Sequence, residues 1–423
     1  MTNYTKLSYQ LKRKTTNFSK KISKNISKPK TKFVTQTIYG LLKGQSILLS
    51  DIARSLKEKI TLKKTIDRLS RNLKNFDEHK NIKENYINNI NSYITDNTVF
   101  CCDKSDIAKP YGEKMEAIDY IRDGSKNERA KGYDTFEIAA LTDKKQLPIG
   151  IYSKIYSRLE KGFKSRNIEA FKGLDFVEKH FGNKGVYALD RGYDANKYYK
   201  YFIKGNKNFV IRSRKNRNVI YKGKTLNILK LAKLYKGKYV NYYTDKHGRK
   251  RKVKFSYAPI KLPALKNKDL TLVIIHGRGK EPMMLITNIK PKAKKLTLAI
   301  LKAYIKRWKI EEYFRFKKQQ FDFENIRVRS LNSIRTLDLL LTMAIGLIAK
   351  FSAQRKTKLK YFVKKIAKRI YDIPKFDYYT IADGIKGILE KTTSGIKKFL
   401  RSYYLNRQSH NFRLLSLPIW QMS

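Results

Sequence analysis

Two short apolar runs, each closed by an aspartate, constrain most strongly what this chain can fold into. Residues 99–102 (VFCC) are followed by Asp103, and residues 186–189 (VYAL) are followed by Asp190. Runs of this length and composition predict buried strands, and the pattern of residues 166–181 predicts a helix between them. Carboxylates at the carboxyl ends of neighbouring parallel strands meet at one edge of a sheet. The sequence therefore predicts an α/β fold with two acids converging at that edge.

A second group of polar residues falls on one face of a predicted helix. Tyr304, Arg307, Glu311 and Lys318 span an arc of about 60° at 3.6 residues per turn. An apolar stripe lies beside them, and it predicts that Trp308 belongs to the core rather than to a platform for stacking bases. An acid flanked by donors for phosphate suits metal-assisted phosphoryl transfer on nucleic acid. A solvated charged face fits the same spacing in a chain so rich in lysine.

The charge balance indicates a polyanionic partner. The 423 residues include 95 Lys and Arg against 35 Asp and Glu, which gives a formal net charge of +60. Such an excess destabilises a compact chain by self-repulsion and favours a partner such as nucleic acid. Codon bias accounts for part of the lysine content but does not explain why acids are scarce. We therefore expect the partner to be DNA.

Cysteine content and hydropathy exclude several classes of protein. Cys101 and Cys102 are the only cysteines, so a disulfide framework and a cysteine zinc site are both excluded. The longest uncharged apolar stretch, residues 339–349, is shorter than the ~20 residues of a membrane span and predicts a buried helix. The basic N-terminus lacks a following apolar segment, so no secretory signal is predicted. We expect a cytoplasmic, nucleoid-associated protein without a membrane partner.

Composition and periodicity divide the chain into six segments. These are a basic flexible arm (1–33), a helical DNA-binding domain (34–92), the first part of the α/β core (95–214), a mostly β insertion (215–290), the second part of the core with the Glu311 helix (291–350) and a basic C-terminal region (351–423). In the second segment, short helices resemble a helix-turn-helix that would offer basic side chains to DNA. Those side chains are Lys63, Lys64, Arg68 and Arg71. A purely structural helical bundle fits that segment equally well.

Asp103, Asp190 and Glu311 together suit a site for divalent metal ions. Three acids close together repel one another unless a cation intervenes, and hard oxygen ligands favour Mg²⁺ or Mn²⁺. Two such ions support in-line displacement at phosphorus without a covalent protein nucleophile. Asp106 or Asp194 would replace a neighbouring acid as ligand if either strand ended later than predicted. Both follow polar residues and are more typical of a turn or cap.

These motifs resemble a known family. The spacing Tyr304-x2-Arg307-x3-Glu311-x6-Lys318, preceded by DKSDIAKPYG and DRGYD, is similar to that of DDE insertion-sequence transposases with the YREK signature, the IS-four group. The resemblance covers about residues 95–330 and includes a β-rich segment between the second and third acids. It implies an RNase H-like core flanked by an N-terminal helical domain and a helical C-terminal region.

The resemblance also implies an activity and assigns roles to residues. The activity is Mg²⁺-dependent cleavage of DNA at the ends of an element and transfer of the strands to a target. Asp103, Asp190 and Glu311 would hold the metal ions, and Tyr304, Arg307 and Lys318 would hold phosphates of the transposon end. Joining two ends implies a homodimer on DNA, with the terminal inverted repeats and the target as partners.

Two side chains beside the acids, Lys109 and Arg191, are further candidates for contact with phosphate. Two other functions remain open for the chain. One is a metal-dependent nuclease that shares the core but never joins DNA. The other is a catalytically inactive, basic DNA-binding relic of a mobile element.

Overall fold

Helices make up the N-terminal part of the chain. The computed structural model describes residues 3–124, 126–142, 147–244, 249–354, 357–367 and 376–401. The helices before the first strand are α1 (Tyr4–Ile22), α2 (Lys28–Gly44), α3 (Leu49–Leu56), α4 (Leu62–Lys74) and α5 (His79–Ile90).

The prediction of a flexible arm over residues 1–33 is wrong. Helix α1 occupies most of that segment and buries Leu7, Leu11 and Phe18. These residues recur at helical spacing, so one face of α1 can bury against the other helices despite the basic composition. The Asn3 side chain also accepts a hydrogen bond from the Lys6 amide at 2.9 Å, which caps the helix start.

The basic residues of the helix-turn-helix prediction have different surroundings. Arg68 donates hydrogen bonds to Gln36 at 2.8 Å and to Glu58 at 2.9 Å. Lys63 and Lys64 are exposed on α4. Arg68 therefore stabilises the helical region from within, and the role of this region in DNA binding stays a prediction.

The centre of the fold is a mixed sheet with RNase H-like topology. Its elements are β1 (Val99–Ala108), β2 (Asp119–Asp123), β3 (Glu128–Leu141), β4 (Pro148–Tyr156), α6 (Arg166–Phe181), β5 (Val186–Leu189), α7 (Asn196–Lys204) and β6 (Asn208–Arg212). Strands β1, β3 and β4 form an antiparallel meander, whereas β5 pairs parallel to both β1 and β6. The strand order β4-β3-β1-β5-β6 with helical crossovers confirms the predicted RNase H-like core.

The segment after β6 extends this sheet instead of forming a separate one. It contains β7 (Asn218–Tyr221), β8 (Lys224–Asn227), α8 (Ile228–Leu234), β9 (Tyr239–Thr244), β10 (Lys250–Leu262), β11 (Leu265–His276) and β12 (Met283–Thr287). Strand β12 pairs antiparallel with β6, and β11 and β10 follow in turn. The pairing covers the edge of β6, which would otherwise expose unpaired backbone groups.

Helices on one face of the sheet complete the core. They are α9 (Lys294–Lys306), α10 (Lys309–Gln320) and α11 (Leu331–Ala353). Ala303 and Ile310 pack with Cys101 on that face of β1. Helix α11 has the length and apolarity of a membrane span, but 83% of its apolar window is buried inside the protein. The predicted buried helix over residues 339–349 is therefore part of α11.

The last described helices return to the N-terminal region. Helices α12 (Lys358–Ile366) and α13 (Asp377–Glu390) pack on each other, and α13 also contacts α1 and α2. Just beyond α13, Thr392 shares a hydrogen bond of 3.0 Å with Ser8, and the Ser394 carbonyl accepts one of 2.6 Å from Lys12. The two ends of the described chain are thus joined by packing and by hydrogen bonds.

A buried group of charges connects α10 and α11 to the sheet. The Lys317 ammonium donates to Glu137 at 2.8 Å and to Asp338 at 2.7 Å, and all three side chains are at most 4% exposed. Ser153 donates to the other oxygen of Asp338 at 2.5 Å. Burial raises the pKa of Glu137 to about 7, against the opposing attraction of Lys317. One ammonium therefore pairs with two carboxylates in a buried site.

This group predicts a specific pH dependence of stability. A carboxyl whose pKa rises on folding binds its proton more tightly in the folded state, so its contribution is lost as pH rises from about 4.5 to about 7. Glutamine at position 137 mimics the protonated acid and has no such loss. We expect the free energy of unfolding of Glu137→Gln, relative to wild type, to rise by about 1–3 kcal/mol between pH 5 and pH 8. Urea denaturation of both proteins measures this difference, and a constant difference contradicts the assignment.

Candidate active site

Asp103 and Asp190 lie side by side where β1 and β5 separate. The parallel pairing of the two strands ends at Cys102 opposite Leu189, immediately before both acids. Strand β1 does not end at Asp103 as predicted, because its antiparallel pairing with β3 continues to Ala108. The two acids still lie next to each other, as predicted, because β5 ends at Leu189 and its pairing with β1 ends there.

The predicted single helix over residues 304–318 is two helices joined by a tight turn. Helix α9 ends at Lys306 and α10 begins at Lys309. The amides of Arg307 and Trp308 donate to carbonyls three residues back, at 3.0 and 3.2 Å, which tightens the turn in the manner of a 3₁₀ helix. The tighter turn rotates the residues relative to an ideal α-helix. Trp308 is consequently 52% exposed, and its prediction as a core residue is wrong.

Arg307 connects two of the three acids. Its Nη1 donates to Oδ2 of Asp103 at 2.6 Å, and its Nη2 donates to Oε1 of Glu311 at 2.9 Å. The Arg307 side chain is 6% exposed, whereas those of Asp103 and Glu311 are 17% and 40% exposed. The four-residue spacing of Arg307 and Glu311 on the helical backbone therefore brings the helix acid to the same cation that holds the strand acid.

Burial and nearby charges both act on the pKa of Asp103. Burial raises its pKa to about 6, Arg307 opposes this shift, and the charges of Asp190 and Glu311 add to it. Burial alone would lower the pKa of Arg307, but the charge of Asp103 and its other neighbours hold it above the usual value. The acids are therefore close enough to repel one another, and one guanidinium compensates them only in part.

The arrangement does not present a ready-made metal site. Within the ranges given for the fold, no group of three or more His, Cys, Asp or Glu side chains is placed to hold a metal ion. Asp190 accepts a hydrogen bond from the Gly192 amide at 2.9 Å and does not contact Arg307. Metal binding by these acids therefore requires small movements of side chains, with Arg307 giving up at least one of its carboxylates.

The two alternative acids have other partners. Asp194 accepts hydrogen bonds from Tyr199 at 2.6 Å and from the Arg214 amide at 2.7 Å, and it forms an ion pair with Arg217 at 2.5 Å. Its carboxylate is almost completely buried, so it stabilises the loop after β5. Asp106 lies 3.6 Å from the Lys318 ammonium. The buried contacts of Asp194 favour Asp190 as the acid after β5. Asp103 is favoured over Asp106 because it shares Arg307 with Glu311.

The residues predicted to contact phosphate differ in burial and in the partners they already have. Tyr304 is 1% exposed and packs in an apolar cluster, with the Arg307 guanidinium 6.0 Å from its ring. Lys318 is partly exposed and pairs with Glu324 at 2.9 Å. Lys109 donates to the Glu324 carbonyl at 2.9 Å.

Arg191 is exposed directly after Asp190. Of the five residues predicted to contact phosphate, Arg191 is thus the most exposed to solvent. Tyr304 is buried and packs beside Arg307. The sequence pattern missed the contact of Arg307 with Asp103, because the two residues lie 204 positions apart.

Comparisons with known proteins identify the central region. Residues 164–347 match the family model described as "Transposase DDE domain", a region that includes Asp190 and Glu311 but not Asp103. No curated protein matches the chain.

Among solved structures, the chain is similar to the piggyBac transposase in a synaptic complex with hairpin DNA. The identity is 11%, the TM-score is 0.42, and the match covers 95% of this chain and 84% of that chain. It is also similar to the NurA nuclease from Sulfolobus solfataricus, with 10% identity, a TM-score of 0.24, and coverage of 61% and 95% of the two chains. Likeness at these scores is too low to bear on function.

Proposed function

Because residues 164–347 match the family model of a transposase DDE domain, we propose that this protein cleaves DNA at the ends of an insertion sequence and joins the freed strands to target DNA. One observation carries the proposal. The acids Asp103 and Glu311 are held by a single arginine at the sheet edge where Asp190 also lies. Such a concentration of negative charge on a chain of net charge +60 is suited to a cation rather than to DNA alone.

The residues fit divalent metal ions. The donors are carboxylate oxygens, which Mg²⁺ and Mn²⁺ prefer, and burial together with the charges of Asp190 and Glu311 disfavours the ionised form of Asp103 in the absence of a further cation. We propose that Asp103, Asp190 and Glu311 are the ligands of two such ions. When bound, the ions would activate the attacking oxygen and stabilise the leaving oxygen at phosphorus.

Side chains around the acids would position the DNA and the ligands. Arg307 donates to both Asp103 and Glu311, and it could turn toward a DNA phosphate once a cation takes over the acids. Arg191 is exposed beside Asp190 and suits direct contact with a backbone phosphate. Lys318 is partly exposed and would act in the same way, whereas Lys109 would act only after leaving the Glu324 carbonyl.

We further propose that the chain belongs to the YREK group of these transposases, that it works in the cytoplasm on nucleoid DNA, and that it is a dimer when two ends are bound. The proposal for the group rests on Tyr304, Arg307, Glu311 and Lys318. The proposal for the dimer follows from the need to join two ends at one target.

A joining assay tests the function. Precut duplexes that carry the element's inverted repeat and a free 3′-hydroxyl are incubated with a circular target, Mg²⁺ and the full chain. We expect joined products from wild type, and none from Asp190→Ala, although that variant should still bind the ends. Hydrolysis of uncut DNA without any joining would instead identify a nuclease, and binding without either reaction would identify an inactive relic.

A further inference from the structure

A basic cavity lies between the N-terminal helices and the core, apart from the three acids. Its volume is about 230 Å³, and residues of α5, β4 and α11 form its walls. The lining residues are His79, Lys83, Ser153, Lys154, Ile155, Asn332, Arg335, Asp338 and Leu339. The proposed DNA chemistry does not use this cavity.

Two lysines of the cavity wall have no acidic partner. In the described part of the chain, neither the Lys83 nor the Lys154 ammonium has a hydrogen bond or an ion pair within 4.0 Å. Lys83 lies over the ring of Tyr152, with its nitrogen 5.4 Å from the ring centre. Both side chains are half-buried. Partly buried cations normally find a counter-ion, so this pair is unusual.

Arg335 adds a third positive charge in a fixed orientation. Its Nε and Nη2 donate to the Ile155 carbonyl at 2.9 and 2.8 Å, and Nη2 also donates to Glu160 at 2.5 Å. These bonds leave Nη1 of Arg335 without a partner among the described residues. The guanidinium therefore stays in the cavity wall with one edge free to donate.

The acids near the cavity are already engaged. Asp338 accepts from Lys317 and Ser153, and Glu160 accepts from Arg335. Burial and the repulsion of Lys154 lower the pKa of Lys83 to about 8, and the attraction of Asp338 offsets this only in part. Among the described residues, Asp338 is the one acid in the cavity wall, and it is shared with Lys317, so the three cations of the wall outnumber it. A bound anion would supply the missing negative charge.

We propose that this cavity binds a phosphate group, held by Lys83, Lys154 and Arg335. A phosphate provides several strong acceptor oxygens, which match ammonium and guanidinium donors. The volume exceeds the ~30 Å³ that one water occupies in the liquid, so it has room for phosphate and water together. The occupant is either inorganic phosphate or a phosphodiester of the DNA backbone, and this assignment is independent of the proposed catalysis.

Calorimetric titration of the full chain with inorganic phosphate, against chloride at equal ionic strength, tests one source. We expect saturable binding that weakens at least tenfold in the double variant Lys83→Gln/Lys154→Gln, called the cavity variant below. A control with the same loss of charge, Lys80→Gln/Lys230→Gln, replaces two exposed lysines on α5 and α8 and should bind as wild type does. Lys83→Arg/Lys154→Arg should retain binding, because it keeps both charges.

Duplex DNA binding over a range of salt concentrations tests the other source. If a backbone phosphate fills the cavity, the slope of log K against log salt should fall by about 1–2 in the cavity variant relative to the control. In phosphate-free buffer without DNA, the cavity variant should also melt at a higher temperature than wild type, because two cations that repel each other are gone.

Weaker phosphate binding, or a smaller salt dependence of DNA binding, supports the proposal if it occurs in the cavity variant and not in the control. Which of the two occurs tells whether the bound group is inorganic phosphate or a DNA phosphodiester. The proposal is overturned if the cavity variant and the control behave alike in both titrations. It is also overturned if the cavity variant melts lower than wild type and its binding is unchanged, since the lysines would then be purely structural. Neither result bears on whether the protein cleaves DNA.

Discussion

Replacing Asp103 by asparagine should reduce Mg²⁺-dependent DNA cleavage by about 10³-fold or more, while DNA binding largely survives. Asparagine has nearly the same shape but lacks the charge that holds a divalent ion, and such an ion contributes several kcal/mol to the transition state. Arg307 keeps Glu311 as a partner at 2.9 Å, so the turn between α9 and α10 should stay folded. Cleavage of a labelled duplex with the element's end, measured in single turnover, gives the rate.

Asp106→Asn is the matched control for this variant. Asp106 lies three residues further along β1 and pairs with Lys318 at 3.6 Å. The substitution Asp106→Asn therefore removes the same charge from the same strand. We expect its cleavage rate to stay within about tenfold of wild type, since it is not a proposed ligand. Equal activity of Asp103→Asn and wild type, or an inactive Asp106→Asn beside an active Asp103→Asn, would refute the assignment of the ligand.

Replacing Lys317 by methionine should destabilise the protein by about 3–5 kcal/mol at pH 7. Methionine fills a similar volume, but it leaves Glu137 and Asp338 buried without their shared cation. Adding Glu137→Gln to this variant should restore part of the loss, because one of the two uncompensated charges is then removed. Urea denaturation at pH 7 measures all of these differences.

The neighbouring Lys318→Met is the control for charge and position. Lys318 is 25% exposed; its nearer partner Glu324 is 40% exposed, and its other partner Asp106 is 16% exposed and lies 3.6 Å away. Solvent therefore screens these pairs more than it screens the Lys317 group, and the loss should stay below about 1 kcal/mol. Similar losses for the two variants would mean that the Lys317 group contributes no more to stability than a surface ion pair does.

The core sheet is predictable from sequence because its signals are local. The apolar runs at 99–102 and 186–189 are buried strands, and residues 166–181 form α6 as their pattern indicates. A central strand that is buried on both faces requires a nearly continuous apolar sequence. Short runs of this kind are therefore a strong signal for such a strand. The acids that follow these runs consequently meet at one edge.

The remaining features depend on contacts that no local pattern contains. Trp308 lies in a tight turn that is closed by two hydrogen bonds to carbonyls three residues back. The spacing of residues 304–318 predicts one regular α-helix, which does not include this turn. The ion pair between Arg307 and Asp103 joins residues far apart in the chain. Composition suggested a flexible arm at the N-terminus, whereas the spacing of Leu7, Leu11 and Phe18 supports a packed helix.

The contact between α1 and the segment after α13 has a consequence for synthesis on the ribosome. Ser8 and Lys12 find their partners at Thr392 and Ser394, and the ring of Tyr9 meets Phe399 at 5.3 Å. Helices α2 and α5 cover other parts of α1 soon after it is translated, but the face that carries Ser8, Tyr9 and Lys12 stays uncovered until nearly the last described residues are made. A premature stop codon before residue 392 would leave this face of α1 exposed, and we expect such a product to be more open to proteolysis than one that includes Phe399.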